Sequence, residues 1–163
     1  MRGEYAQVRE YADGLRENVE AGIGLILKGP VGTMKTSLAV AVLQRHIQQG
    51  GSGLFVPMAS MLDNLFTMKE RNREEWLRYE ERIRGTSILI LDDLGAEYHQ
   101  EWVLSKVDSI ITDRYNRMRP IIVTTNLSQA GLKGKYAERI IDRLKATSKV
   151  VNFKGESLRE AAT

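Results

Sequence analysis

Gly29-Pro30-Val31-Gly32-Thr33-Met34-Lys35-Thr36 decides the fold. It follows IGLILKG (23–29), a short apolar run bounded by glycines, and opens a stretch from Lys35 to Gln49 with helical spacing. A glycine-containing turn between a buried strand and a helix aims backbone N–H groups at one point, where the helix dipole favours an anion. Gly29, Pro30, Val31, Gly32, Thr33, Met34, Lys35, Thr36 and Ser37 are therefore the candidate phosphate cradle. Lys35 is placed for the β- and γ-phosphates and the Thr36 hydroxyl for Mg²⁺. The pattern G-x-x-x-x-G-K-[ST] is broken once. Met34 stands where a glycine lets the backbone approach phosphate without a Cβ. A methionine there must turn its side chain away or crowd the nucleotide. A chance turn before a helix, or a loop that no longer binds, stays open at this point.

Outward from the loop, apolar runs and helical spacings alternate. Tyr5, Val8, Ala12, Leu15 and Val19 predict one amphipathic helix over 4–20, stopped near Gly22. GLFVP (53–57) reads as a second strand, and 58–84 as two charged, solvated helices with Glu74–Arg78 and Glu80–Arg84 spaced to pair. SILILD (87–92) is the third strand, 100–118 a helix, PIIVTT (120–125) the fourth strand, 134–146 a helix and KVVNF (149–153) the fifth strand. Strands apolar throughout, alternating with helices, predict an α/β fold: a five-stranded parallel sheet with helices on both faces. The 163 residues read as a single domain, 1–163, with residues 1–22 a helical lead into the core.

SILILDD (87–93) ends an apolar strand in two acids, at the sheet edge where such folds bind ligands. Asp92 is the candidate Mg²⁺ ligand, directly or through water. Asp93 is the candidate residue to orient or deprotonate an attacking water, with Glu97 as an alternative base.

Composition excludes other chemistries. There is no cysteine, hence no disulfide framework, zinc–thiolate site or cysteine nucleophile. Only His46 and His99 are present, too few for a multi-histidine metal cluster. No signal-peptide pattern and no membrane-length apolar run is present, so a cytoplasmic protein without a membrane partner is expected. The formal net charge of +3 is uneven: residues 1–128 hold 16 Lys+Arg against 17 Asp+Glu, and residues 129–163 hold 8 against 4. A basic C-terminal segment suits a polyanion partner and equally a solvated face.

Four blocks in order, GPVGTMKTSLAVAVL, ILILDDLGAE, RPIIVTTNLS and ERIIDRLKATSKVVNFKGESLR, resemble the AAA+ ATPase domain of bacterial helicase loaders of the DnaC/DnaI type. The related IstB-type transposition ATPases share that core. The resemblance implies a P-loop NTPase core without a sizeable C-terminal helical lid, with ATP and Mg²⁺ as cofactors. It implies that Asn126 is the sensor for the attacking water or γ-phosphate and that Arg143 is an arginine finger serving a neighbouring subunit. It also implies that Arg159 is a second sensor within its own subunit. The implied partners are single-stranded DNA, a replicative helicase or else a transposase, and further copies of the chain. Only about twenty residues precede the first strand, so a grip on a helicase is implied by the core alone. A core fragment or a minimal version of such a factor is the expectation.

Candidate nucleic-acid contacts are Arg114, Tyr115, Arg117, Arg119, Lys133, Lys135, Arg139 and Lys145, basic side chains with an aromatic interleaved. Arg114 and Arg117 suit a subunit interface equally well. Phe66 and Trp76 read as packing residues. A small-molecule kinase would need an arginine-rich lid after the third strand and no TTN sensor. A non-catalytic nucleotide-binding scaffold is the alternative that Met34 keeps open.

Overall fold

The structure is a computed structural model and describes residues 2–97 and 100–158. Five strands, β1 (Gly24–Lys28), β2 (Gly53–Pro57), β3 (Ile88–Asp92), β4 (Ile121–Thr125) and β5 (Ser148–Asn152), form one parallel sheet in the order β2-β3-β4-β1-β5. The strand side chains alternate between two cores. Leu25, Leu27, Ile88, Ile90 and Ile122 face one, and Ile26, Leu89, Leu91, Ile121 and Val123 the other. Both faces are thus covered, which explains why the strands read as unbroken apolar runs.

The first core is closed by α1 (Arg2–Asp13), α2 (Leu15–Glu20) and α3 (Lys35–Gln48), through Val8, Tyr11, Leu15, Ala39, Val42 and Leu43. The second is closed by α4 (Met58–Arg71), α5 (Arg73–Gly85), α6 (Glu101–Asn116) and α8 (Glu138–Ala146), with the short α7 (Gln129–Lys135) before α8. β1 and β4 approach so closely that a Cβ on Gly24 would lie 2.0 Å from the Ile121 carbonyl oxygen. Only glycine fits there, and its place at the head of β1 follows.

Several expectations change. The predicted 4–20 helix is broken at Gly14, which sits at φ −97°, ψ 29° as the cap of α2. The break lets Leu15 and Asn18 turn inward, and the Asn18 side chain donates to the Tyr11 carbonyl at 2.9 Å. The predicted 134–146 helix is two helices with extended backbone at Tyr136 and Ala137 between them. The α4–α5 pair is present, with the Asn72 side chain accepting from Glu74 N and Glu75 N as an N-cap. Its charges are less solvated than the pattern suggests. Glu80 pairs with Arg84 and with Lys106 of α6, and Arg84 also donates to Ser109.

Arg114 is the largest departure. It is 0% exposed, and its two terminal nitrogens donate to five carbonyls: Ile83, Arg84 and Thr86 from Nη1, Ser87 and Pro120 from Nη2. Burial pushes its pKa down to about 9, which leaves the guanidinium charged at neutral pH. Arg114 is a tie between the end of α5 and the starts of β3 and β4. It offers no surface to DNA or to a second subunit.

His46, at the end of α3, shares a short hydrogen bond with Ser87 Oγ, and Ser87 is tied to Ser52. Burial lowers its pKa below the ordinary 6.5. The folded chain therefore resists a proton that the unfolded chain accepts, so stability is full above pH 6.5 and falls as pH drops below it. Thermal melting should decline as pH drops below 6.5, and His46→Gln should flatten that decline. An unchanged pH slope in that variant would assign the loss to other groups.

Candidate nucleotide-binding site

The C-terminal edge of the sheet carries every part of the site. The loop after β1, the end of β3 and the end of β4 lie side by side, with Lys28 opposite Thr125 and Leu91 opposite Val123. Between them opens a cavity of about 500 Å³ lined by Val31–Ser37, Asp92, Asp93, Thr124, Asn126 and Leu158. This is the crevice position expected of a parallel α/β sheet.

The loop is held by its own side chains. Lys35 Nζ donates to the Gly29 carbonyl at 2.8 Å and to the Pro30 carbonyl at 2.6 Å. Thr33, fully buried, donates to the Pro30 carbonyl at 2.9 Å. Gly32 sits at φ +82°, and a Cβ there would meet Ser157 Oγ at 2.0 Å. The segment after β5 thus crosses the loop, and Leu158 N donates to the Gly32 carbonyl at 3.0 Å. Met34 caps α3 in the left-handed region, at φ 63° and ψ 18°, with its side chain 48% exposed at the cavity wall. The backbone keeps a glycine-type conformation while carrying a side chain, a strain of about 1–2 kcal/mol. Met34→Gly should relieve it and tighten ATP binding several-fold in titration calorimetry. Equal or weaker binding would show that the thioether does not obstruct the phosphates.

The carboxylates are ordered by threonines. Asp92 Oδ1 accepts from Thr36 Oγ1 at 2.8 Å and from Thr124 Oγ1 at 2.7 Å. Asp93 N donates to Thr124 Oγ1 at 2.8 Å, and Thr125 Oγ1 donates to the Leu94 carbonyl at 2.7 Å. Asp93, at φ 56°, presents Oδ1 to the Asn126 amide, which donates at 2.8 Å. Thr124 and Thr125 were not among the residues the sequence singled out. The available signal was two hydroxyls at the end of a strand otherwise apolar, since buried polar groups need partners. Thr36 and Asp92 together offer hard oxygen donors on adjacent walls of the cavity, the donor set that suits Mg²⁺.

Other candidates fall elsewhere. Glu97 is 3% exposed, and its Oε2 accepts from Gly95 N, so it shapes the loop and does not line the cavity. Lys135 is drawn into the same loop, donating to the Gly95 and Glu97 carbonyls, and is not a surface cation. Arg117 is exposed and pairs with Asp113 at 3.1 Å, and Lys133 is exposed on α7. Arg143 lies on α8, away from its own chain's nucleotide cavity. Arg159 lies outside the described residues. Trp76 packs against the second core as expected, but Phe66 is 51% exposed and meets Trp102 edge-on at 4.6 Å.

A phosphate loop, paired aspartates and an asparagine at the end of the adjoining strand, on this strand order, define an AAA+ P-loop nucleotide-binding domain. The match of residues 13–163 to the IstB-like ATP binding protein model places the chain in that family. It is 32% identical over 146 residues to an insertion sequence IS21 ATP-binding protein of Pseudomonas aeruginosa, covering 86% of this chain and 54% of that protein. It is 26% identical over 156 residues to the replicative helicase loader DnaC of Buchnera aphidicola, covering 93% and 61%. The chain therefore spans little more than half the length of these relatives. Among solved structures, a DnaC helicase loader superimposes with a TM-score of 0.81 at 26% identity, covering 91% of this chain and 87% of that one. AMPPCP-bound DnaA from Aquifex aeolicus shares the fold at a TM-score of 0.77 and 18% identity, over 97% of this chain and 48% of that one. No helix among the described residues is long and apolar enough to cross a membrane.

Proposed function

We propose that this chain is a slow, assembly-dependent ATPase acting in the cytoplasm as a helicase-loader-like accessory factor in DNA replication. The observation that carries this reading is the pair of contacts Thr36–Asp92 and Asn126–Asp93 beneath a phosphate loop. In it, the loop N–H groups and Lys35 bind the phosphate chain, and Thr36 and Asp92 would hold Mg²⁺, which would supply charge neutralisation to the phosphates. Asn126 fixes the Asp93 carboxylate so that it accepts a hydrogen bond from the attacking water. Water oxygen bonds to the γ-phosphorus, the bond to the ADP oxygen breaks, and the water proton passes to Asp93 or the released phosphate. Arg143 of a neighbouring copy supplies permanent positive charge to the same phosphate. Arg159 serves the nucleotide of its own chain.

The loader reading carries a replicative helicase and single-stranded DNA as partners. For the DNA, Arg114 and Lys135 give way to a groove of about 520 Å³ between α4, α5 and α6. Phe66 and Trp102 form its half-exposed aromatic wall, and Lys69 and Lys106 approach the Trp76 ring at 5.9 and 5.5 Å. Aromatic faces beside Lys69 suit base stacking with backbone neutralisation, whereas Lys106 is already paired with Glu80. Trp102→Ala with Lys69→Glu should weaken single-strand binding at least tenfold, against about 1–3 kcal/mol per stacked base, with ATP affinity unchanged. Undiminished binding would move the DNA elsewhere.

A transposition helper is the second reading, favoured by the IS21 relative and the family model. It requires a transposase partner and cooperative assembly on duplex DNA. Fluorescence anisotropy with single-stranded and duplex oligonucleotides of equal length, with Mg·ATP, separates them. Single-strand preference supports the loader, and duplex preference with cooperative uptake supports the helper.

A further inference from the structure

We infer that Thr112 is the positioning residue for Arg143, an inference that rests on the proposed arginine-finger role of Arg143. α6 and α8 meet along a polar ladder. Asp108, Thr112 and Tyr115 follow one another on α6 at spacings of four and three, which places them on one stripe. Arg139 and Arg143 stand four apart on α8. Arg143 Nη1 donates to Thr112 Oγ1 at 2.7 Å, and its guanidinium lies 5.7 Å from the centre of the Tyr115 ring.

The Thr112 hydroxyl has both of its roles assigned. Its proton goes to Asp108 Oδ1 at 3.0 Å, which turns an oxygen lone pair toward Arg143. Asp108 is itself taken by Arg139 through Oδ2 and stands 3.8 Å from Arg143. The ion pair between Arg143 and Asp108 Oδ1 is long, at 3.8 Å, and Asp108 shares its charge with Arg139, so it holds Arg143 only weakly to its own chain. Arg143 is thus aimed mainly by the short bond to the neutral Thr112 hydroxyl and by an aromatic face, with the long, shared Asp108 pair beside them, while its side chain remains 31% exposed. An arginine that must reach a phosphate on another subunit gains from this, because its long side chain is ordered before the subunits meet, and what it exchanges there is a bond to a neutral hydroxyl and a long ion pair already shared with Arg139.

Steady-state ATP hydrolysis is measured against protein concentration for the unaltered chain, Arg143→Ala, Thr112→Val, Thr112→Ser and Tyr115→Leu. Thr112→Val keeps the side-chain shape and removes the hydroxyl. Its maximal assembly-dependent kcat should fall about tenfold. The KM for ATP and the half-saturating protein concentration should stay within twofold, since neither the cradle nor the packing changes. Thr112→Ser should restore the rate. Tyr115→Leu, at a half-exposed position, should lower kcat about threefold and covers the case in which the valine variant folds poorly. A Thr112→Val rate equal to the unaltered chain, with Arg143→Ala losing its assembly-dependent component, overturns the positioning role and leaves the finger intact. An Arg143→Ala chain that keeps its concentration-dependent rate, or no such rate in any chain, overturns the finger reading and this inference with it. A loss in Thr112→Val that appears in KM or melting temperature, and not in kcat, marks a packing role and also overturns it.

Discussion

Lys35→Ala should lose ATP binding by about a hundredfold or more while keeping its fold. The ammonium is the one permanent cation among the cavity-lining residues of the loop, and it already sits at the loop's centre, bonded to the Gly29 and Pro30 carbonyls. When the phosphate chain enters, those bonds are exchanged for charge-assisted ones to phosphate oxygens, worth about 1.5–3 kcal/mol each. Two such bonds account for the factor of a hundred, which corresponds to about 3 kcal/mol. The fold survives because β1 is paired on both sides and Thr33 still closes the turn onto Pro30. Titration calorimetry with Mg·ATP and circular dichroism together check both halves. Retained affinity would mean that the loop's N–H groups hold a nucleotide without the lysine, or that the nucleotide sits elsewhere.

The second large effect concerns stability. Arg114→Met should destabilise the fold by about 3–5 kcal/mol, the range for removing one side of a buried charged network. Methionine fills the space but takes the guanidinium away from five carbonyls at the α5 end and the β3 and β4 starts, of which the Pro120 carbonyl also accepts from Leu89 N. In a chain of this size the melting temperature should drop by about 10 °C. Lysine, with three donors on a compact head, should recover only part of it. Arg117→Ala, three residues on, removes an exposed arginine paired only with Asp113 and should shift melting by little. Equal shifts for the two positions would deny Arg114 its structural role.

These two residues also show what the sequence makes legible. Lys35 announces itself because its neighbours in the chain are its neighbours in space: strand, turn, lysine and helix are contiguous. β2 falls at residues 53–57 and β3 and β4 within a residue of expectation, because strands buried on both faces need unbroken apolar runs. Arg114 was hidden for the opposite reason. It belongs by composition to a basic run, and four of its five partners lie in the stretch Ile83–Ser87, about thirty residues back in the chain, so only packing reveals that it is desolvated. Lys135 and Glu97 are the same kind of case, paired across the loop after β3 and the end of α7. α7 escaped because Gly131 and Gly134 interrupt its helical pattern, whereas the Ser128 cap that starts it is a weak local signal. Gly14 shows a glycine acting as a hinge inside a periodicity that runs on past it. In the site, Asp92 and Asn126 follow from strand ends, but the threonine web joining them depends on strand register, which the sequence does not display.

Met34 is the one position where the phosphate loop departs from its pattern. Lys35, Thr36, Asp92 and Asp93 line one cavity, and Met34 stands in its wall where the phosphate-loop pattern has a glycine. The direct measurement is steady-state ATP hydrolysis across a range of protein concentrations, with and without single-stranded DNA, against Lys35→Ala as the blank. The expected result is a slow rate that rises with concentration, responds to DNA and vanishes in the blank. Hydrolysis no faster than the blank at every concentration, with or without DNA, would contradict it and leave a nucleotide-gated scaffold in its place.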